Sequence, residues 1–180
     1  MKKIIYIAIA WVAALTFVSC NGNSDSTSSQ KSDATSSTEK AEAEVKIEDQ
    51  KELTCDNYTV VVPDGWKASS KMVRSSCNLT LKENPHSTAI INYTLQNEKD
   101  IAENLGKREC KAADDIKQGD KTYKVYVKEG DRPEVNAFVP QGEGFVTFRI
   151  MPGGTPMKGD ELKDVLMKNL NNIIAATTLK

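Results

Sequence analysis

Apolar and polar residues change their spacing several times along the chain, and each change marks an element. From Asn57 to Val62 they alternate, with Tyr58, Val60 and Val62 on one face, which predicts a strand. Pro63-Asp64-Gly65 reads as a turn, because proline presets φ and glycine tolerates positive φ. Trp66 follows and is expected to close one end of the core. Cys77, Leu79 and Leu81 alternate in a second strand, and Asn84-Pro85-His86-Ser87 is a loop. Thr88 to Gln96 gives a third strand, with Ala89, Ile91, Tyr93 and Leu95 on one side. Three strands in succession favour antiparallel pairing.

The period then lengthens. Glu98 to Ala113 predicts a helix, with Ile101, Leu105 and Ala112 sharing a face. Tyr123 to Lys128 is a strand, ended by a turn through Gly130-Asp131-Arg132-Pro133. Val135 to Val139 and Phe145 to Met151 form a hairpin around Pro140-Gln141-Gly142-Glu143-Gly144. Pro152-Gly153-Gly154-Thr155-Pro156 cannot continue a strand and reads as a flexible connection. Asp160 is placed as the cap of a last helix, with Leu162, Val165, Leu166, Leu170, Ile173 and Ile174 as its apolar stripe. The order β-β-β-α-β-β-β-α defines an α+β domain with an antiparallel sheet flanked by helices.

The N-terminus follows a different logic. Lys2 and Lys3 precede Ile4 to Val18, a run without a charge. A positive start, a short apolar stretch and a small residue, Ser19, describe a secretory signal. The run falls short of the about 20 apolar residues of a membrane-spanning helix. Residues 21–45 are rich in Ser and Thr, with no aromatic residue and Val45 as their one branched apolar side chain. Such a segment buries too little to offset its ordering entropy, so a tether reaching roughly 25–30 Å is expected. The chain therefore divides into a signal at 1–19, Cys20 with its tether at 20–45, and a globular domain at 46–180.

Phe17-Val18-Ser19-Cys20 resembles the lipobox of bacterial lipoproteins, with Phe17 where leucine is usual. The resemblance implies cleavage before Cys20 and acylation of that residue, palmitate included. It further implies a protein lipid-anchored in the cell envelope, at the outer membrane of a Gram-negative bacterium. Several acyl chains on one cysteine would make the attachment long-lived. Asp25-Ser26-Thr27 resembles the O-glycosylation site of Bacteroidetes exported proteins, which makes Ser26 a candidate. Asn21-Gly22-Asn23-Ser24-Asp25 holds one acid, unlike the acidic surface-export signals of that phylum, so the inner face of the outer membrane is expected.

Within the domain, Tyr58-Thr59-Val60-Val61-Val62-Pro63-Asp64-Gly65-Trp66, together with the element order, resembles the PsbP-like family. That resemblance implies an α/β/α sandwich around an antiparallel sheet and a non-catalytic binding role. It supplies no site motif whose residues can be carried over.

Charge narrows the partners. Setting aside Lys2, Lys3, Lys31 and Lys40 leaves 20 of the 24 basic residues in 46–180. Setting aside Asp25, Asp33, Glu39, Glu42 and Glu44 leaves 20 of the 25 acids. This balance argues against nucleic acid, which needs a basic face, and against electrostatic docking to anionic lipid. Cys55, Cys77 and Cys110 remain beside Cys20. An oxidising compartment permits one disulfide among them. Cys55 and Cys77 are the candidate pair, because they flank the turn at 63–65 and a hairpin would bring them together. Bridges to Cys110, or three buried thiols, are the alternatives.

Candidate chemistry is sparse. His86 is the one histidine and sits in a loop without neighbouring ligands at metal spacing, so it reads as solvated. Asp114, Asp115 and Asp131 read as turn acids, not as an EF-hand. Gly153-Gly154-Thr155 lies before a helix but lacks a Walker pattern. No GxSxG elbow occurs. No cofactor is expected. The sequence points to a non-catalytic domain, anchored to the membrane, that binds an envelope protein or a small ligand. The alternatives are an envelope hydrolase with dispersed site residues and a structural part of an envelope assembly.

Overall fold

The computed structural model describes residues 46–72, 75–84 and 86–180. The signal, Cys20, Ser26 and the tether lie outside the described residues. A short 3-10 turn leads into β1 (Glu52–Thr54), β2 (Tyr58–Val61), β3 (Trp66–Met72), β4 (Ser76–Leu81) and β5 (Thr88–Thr94). Then come α1 (Glu98–Lys107), β6 (Cys110–Ala112), β7 (Ile116–Gln118), β8 (Lys121–Lys128), β9 (Glu134–Gln141) and β10 (Gly144–Met151). The last elements are α2 (Gly159–Ala175) and β11 (Thr177–Leu179).

Every strand pairing among the described residues is antiparallel, as the sequence predicts. The large sheet runs β3-β4-β5-β10-β9-β8-β6, with β7 also paired to β8. A small sheet runs β1-β2-β11. The first predicted strand therefore does not join the two that follow it. β2 pairs with β1 and β11, whereas β3, to which the sequence reading assigns no element, pairs with β4. The turn at 63–65 forms, with the Trp66 N–H donating to the Pro63 carbonyl at 3.0 Å, but it passes the chain between sheets. It makes no hairpin.

The core lies on one face of the large sheet. Alternate residues of the strands, among them Leu79, Ile91, Val125, Val139 and Phe148, are buried there. They meet Leu53, Tyr58 and Val60 of the small sheet and Leu162, Leu166, Leu170, Ile173 and Ile174 of α2. Fully burying side chains of this kind stabilises the fold by about 1.5–3 kcal/mol each. Trp66 is buried in the same cluster, as expected of a residue that closes the core. α1 packs on the opposite face, with Ile101 and Leu105 against Cys110 and Phe138. The sheet is thus flanked by helices.

Local chemistry explains the altered boundaries. The Asn97 side chain caps α1 by accepting from the Asp100 N–H at 2.9 Å. After Leu105 the next inward positions are Arg108 and Glu109, so the apolar stripe stops. Glu109 adopts φ of 65° and turns the chain into β6, so α1 ends at Lys107 and not at the predicted Ala113. Asp160 does not cap α2. Lys158 holds the N-cap position without a side-chain bond, and Asp160 lies in the first turn, paired with Lys163 at 2.6 Å. An acid there still favours the positive end of the helix dipole.

The 152–156 segment is tied down, contrary to the expectation of a flexible connection. The Gly153 N–H donates to the Ser87 hydroxyl at 2.9 Å, and Asn84 Nδ2 donates to the Gly154 carbonyl at 3.2 Å. Arg132 donates to the carbonyls of Gly153 and Thr155. A Cβ on Gly153 would stand 2.4 Å from the Ser87 nitrogen, so only glycine fits.

Candidate functional site

The outer face of the large sheet carries the polar half of the strand alternation. It divides in two. Under α1 it is aromatic: Tyr126 stacks on Phe138 at a centroid distance of 5.8 Å, and Phe145 meets Phe138 edge-on at 5.8 Å. Beside α1 the same face is polar, with Asn92 and Thr94 on β5, Asn136 on β9, and Thr147 and Arg149 on β10. These residues and Asn104 and Arg108 of the α1 segment line a groove of about 340 Å³. Ile90, Ile101 and Leu105 give it apolar patches. The volume falls at the lower end of the range for small-molecule sites.

One end of the groove is electrostatic. Glu134, largely buried, accepts from Arg149 Nη2 at 2.7 Å through Oε2, and its Oε1 takes Arg108 Nη2. Asn136 stands two residues along the same strand face. Its Nδ2 donates to Glu134 Oε1 at 3.0 Å, and its Oδ1 accepts from Arg108 Nη2 at 3.3 Å. The Asn136 amide also contacts Cys110 Sγ at 3.6 Å. Two guanidiniums thus share one carboxylate, leaving one positive charge in excess. The Arg149 Nε is buried and has no hydrogen-bond partner among the described residues. Burial lowers the pKa of both arginines, and for Arg108 the charge of Arg149 adds to the effect. Arginine stays protonated nonetheless. The arrangement is short of negative charge and has a free donor beside a cavity.

The residues singled out from sequence lie elsewhere. His86 is exposed in its loop, and its N–H donates to Asn84 Oδ1 at 3.3 Å. Asp114 is exposed. Asp115 pairs with Lys124 at 2.8 Å and Asp131 with Lys158 at 3.6 Å, both at the surface. No group of three or more His, Cys, Asp or Glu suited to a metal occurs among the described residues. Cys55, Cys77 and Cys110 are buried, and the candidate Cys55–Cys77 bridge is not present in this structure. The hairpin invoked to bring them together is absent. The Tyr58 hydroxyl lies 3.8 Å from Cys77 Sγ in the core. That hydroxyl donates to the Ile91 carbonyl at 2.8 Å, and burial pushes its pKa far up.

Sequence reasoning did not find Arg108, Glu134 and Arg149. A signal existed: Arg149 interrupts the apolar run Phe148-Arg149-Ile150-Met151 in a strand with neighbours on both sides. A charge at the middle of a central strand needs a partner.

No protein-family model matches the chain, and no curated protein does. Solved structures do. The solution structure of cyanobacterial PsbP (CyanoP) from Synechocystis sp. PCC 6803 superposes with a TM-score of 0.50 at 9% identity, covering 77% of this chain and 96% of that one. A crystal structure from Bacteroides thetaiotaomicron gives 0.44 at 15% identity over 72% of this chain and 48% of that one. LpqN, involved in cell envelope biogenesis of Mycobacterium tuberculosis, gives 0.43 at 16% identity over 68% of this chain and 83% of that one. Scores below 0.5 carry no weight for the fold. The CyanoP likeness, with antiparallel sheets and two helices, makes the fold PsbP-like.

Proposed function

We propose that this chain is a cell-envelope lipoprotein, held to the outer membrane through acylated Cys20, whose domain binds a small ligand without transforming it. The observation that carries the binding role is the groove between α1 and the polar half of the sheet, with Arg108 and Arg149 at one end. A sheet face meant only for solvent has no need of a half-buried charge cluster beside a concave, partly apolar surface. The tether described by the sequence would free such a domain to meet ligands away from the head groups. The non-catalytic reading is supported by the groups present. Glu134 is bound by two guanidiniums and is a poor base. His86 is exposed in a loop and does not line the groove.

The test uses the tagged full-length protein in its native envelope, with Cys20→Ala as the unanchored control and Thr147→Trp to fill the groove. Purification under native conditions is followed by mass spectrometry of small molecules released on unfolding. The reading predicts labelled palmitate and membrane recovery for wild type only, and a released compound lost in Thr147→Trp. Wild type in the soluble fraction would overturn the anchor. Equal release from wild type and Thr147→Trp would overturn the groove.

A further inference from the structure

We infer that the ligand of this groove carries a carboxylate or phosphate, seated against Arg149 and Arg108, with Glu134 as the fixed counter-charge that holds the two guanidiniums apart and in place. The inference rests on the reading of the groove as a binding site and adds the chemistry of what enters it.

Charge is the first argument. Arg108 and Arg149 contribute two positive charges and Glu134 one negative, and the Arg side chains are 37% and 38% exposed where Glu134 is 12% exposed. The carboxylate is therefore the inner member and the guanidiniums are the rim. Each guanidinium carries five N–H donors in a planar fork suited to carboxylate or phosphate oxygens. The bonds to Glu134 and Asn136 engage Nη2 of each arginine. The Arg149 Nε–H is left buried and unpartnered, which costs free energy until an acceptor arrives. Both pKa values are depressed by desolvation, and the charge of an incoming anion would offset that by favouring the protonated guanidiniums.

The rest of the lining sets the remainder of the ligand. Asn92, Asn104 and Thr147 offer amides and a hydroxyl, which suits hydroxyl groups better than a hydrocarbon chain. The aromatic rings nearby are packed on one another under α1. A monosaccharide bearing an acid group has this chemistry, from either of two sources: a uronic acid or a sugar phosphate.

The experiment is a solution NMR titration of the folded protein in low-chloride buffer, read at the Arg149 and Arg108 Nε–H signals and at the backbone amides of β5 and β10. The probes are glucuronate, glucose 6-phosphate and uncharged glucose. Saturable shifts of the Arg149 Nε–H with either anion, absent with glucose, are expected. Glucuronate alone points to a uronic acid, and glucose 6-phosphate alone to a phosphate ester. Arg149→Gln should weaken the anion by roughly 10–100-fold, and Glu134→Gln should tighten it if the variant keeps the wild-type amide spectrum. Three outcomes overturn the inference: no saturable shift with either anion, shifts that inorganic sulfate reproduces in linear fashion, or equal response to glucose. The last would leave the groove standing as a binding site with an uncharged ligand. Failure of the groove itself is seen separately, in the unchanged release from Thr147→Trp.

Discussion

The two faces of the large sheet are built from the same strands one residue out of step, and they follow opposite rules. On the inner face, Phe148, Val146 and Ile150 of β10 are almost fully buried against Ala137, Val139 and Ile91. On the outer face, Thr147 and Arg149 of the same strand meet Asn92, Asn136 and Glu134. The inner face is close-packed and tolerates best those apolar exchanges that keep volume. The outer face is half open, and its polar groups have fixed partners. Stability should reside in the first and recognition in the second.

The largest expected effect belongs to the inner face. Phe148→Ala should cost about 3–5 kcal/mol in urea unfolding, through lost transfer energy and the cavity left behind. Its neighbour Thr147→Val faces outward and gives up one part-buried hydroxyl bond to the Asn92 carbonyl, so about 1 kcal/mol or less is expected. Comparable losses at the two positions would break the division.

Next comes a polar group that the small sheet packs against the inner face. Tyr58→Phe removes a buried hydroxyl that donates to the Ile91 carbonyl, and should cost about 0.5–1.5 kcal/mol, the net worth of one hydrogen bond. The same residue has a pH signature. Its folded pKa is raised, so the folded state holds the phenolic proton more tightly than the unfolded chain. That contribution is complete below the unfolded value of about 10 and is lost as pH rises beyond it. Wild type should lose more stability than Tyr58→Phe between neutral pH and that alkaline range. Parallel pH profiles would show that the hydroxyl is not desolvated.

Smaller still is the stability effect of Glu134→Gln. The guanidiniums it serves are partly solvated, so about 1 kcal/mol or less is expected, against a marked change in anion affinity. A large stability loss with unchanged affinity would make the outer face structural and erase the contrast. The least effect is chemical. Cys55, Cys77 and Cys110 are buried, and they should resist a thiol reagent in the folded protein yet react as three thiols on unfolding. Recovery of one thiol in place of three would reveal a bridge.

The inner face was largely legible in the sequence, and the outer face was not. Alternation in Ala89-Ile90-Ile91-Asn92-Tyr93 and the stripe of α2 name most of the core, because burial selects residue type locally. What escaped was anything decided by distant pairing. β3 reads Trp-Lys-Ala-Ser-Ser-Lys-Met, with few residues of high strand preference, and is held by register with β4 through a bulge between Ala68 and Ser70. β1, β6, β7 and β11 are three residues each, too short for any period to declare itself. The candidate site is harder again. Arg108 closes a helix, Glu134 opens a strand and Arg149 interrupts another, and only the sheet brings them together. Arg108 and Glu134 look like ordinary surface charges when read alone.

The small sheet has a consequence for the order in which the molecule is made. β2 is its middle strand, and one of its two neighbours is β11, where Thr177 pairs with Val60 and Leu179 with Tyr58. A chain delivered N-terminus first presents β2 early and must leave one of its edges unpaired until β11 emerges. Tyr58 and Val60, both wholly buried at the end, are exposed for that interval. An unpaired edge beside apolar side chains invites the wrong partner. Pairings between residues so far apart in sequence also close slowly. Closure of the small sheet therefore waits on β11, and residues 58–61 carry an open edge until it arrives.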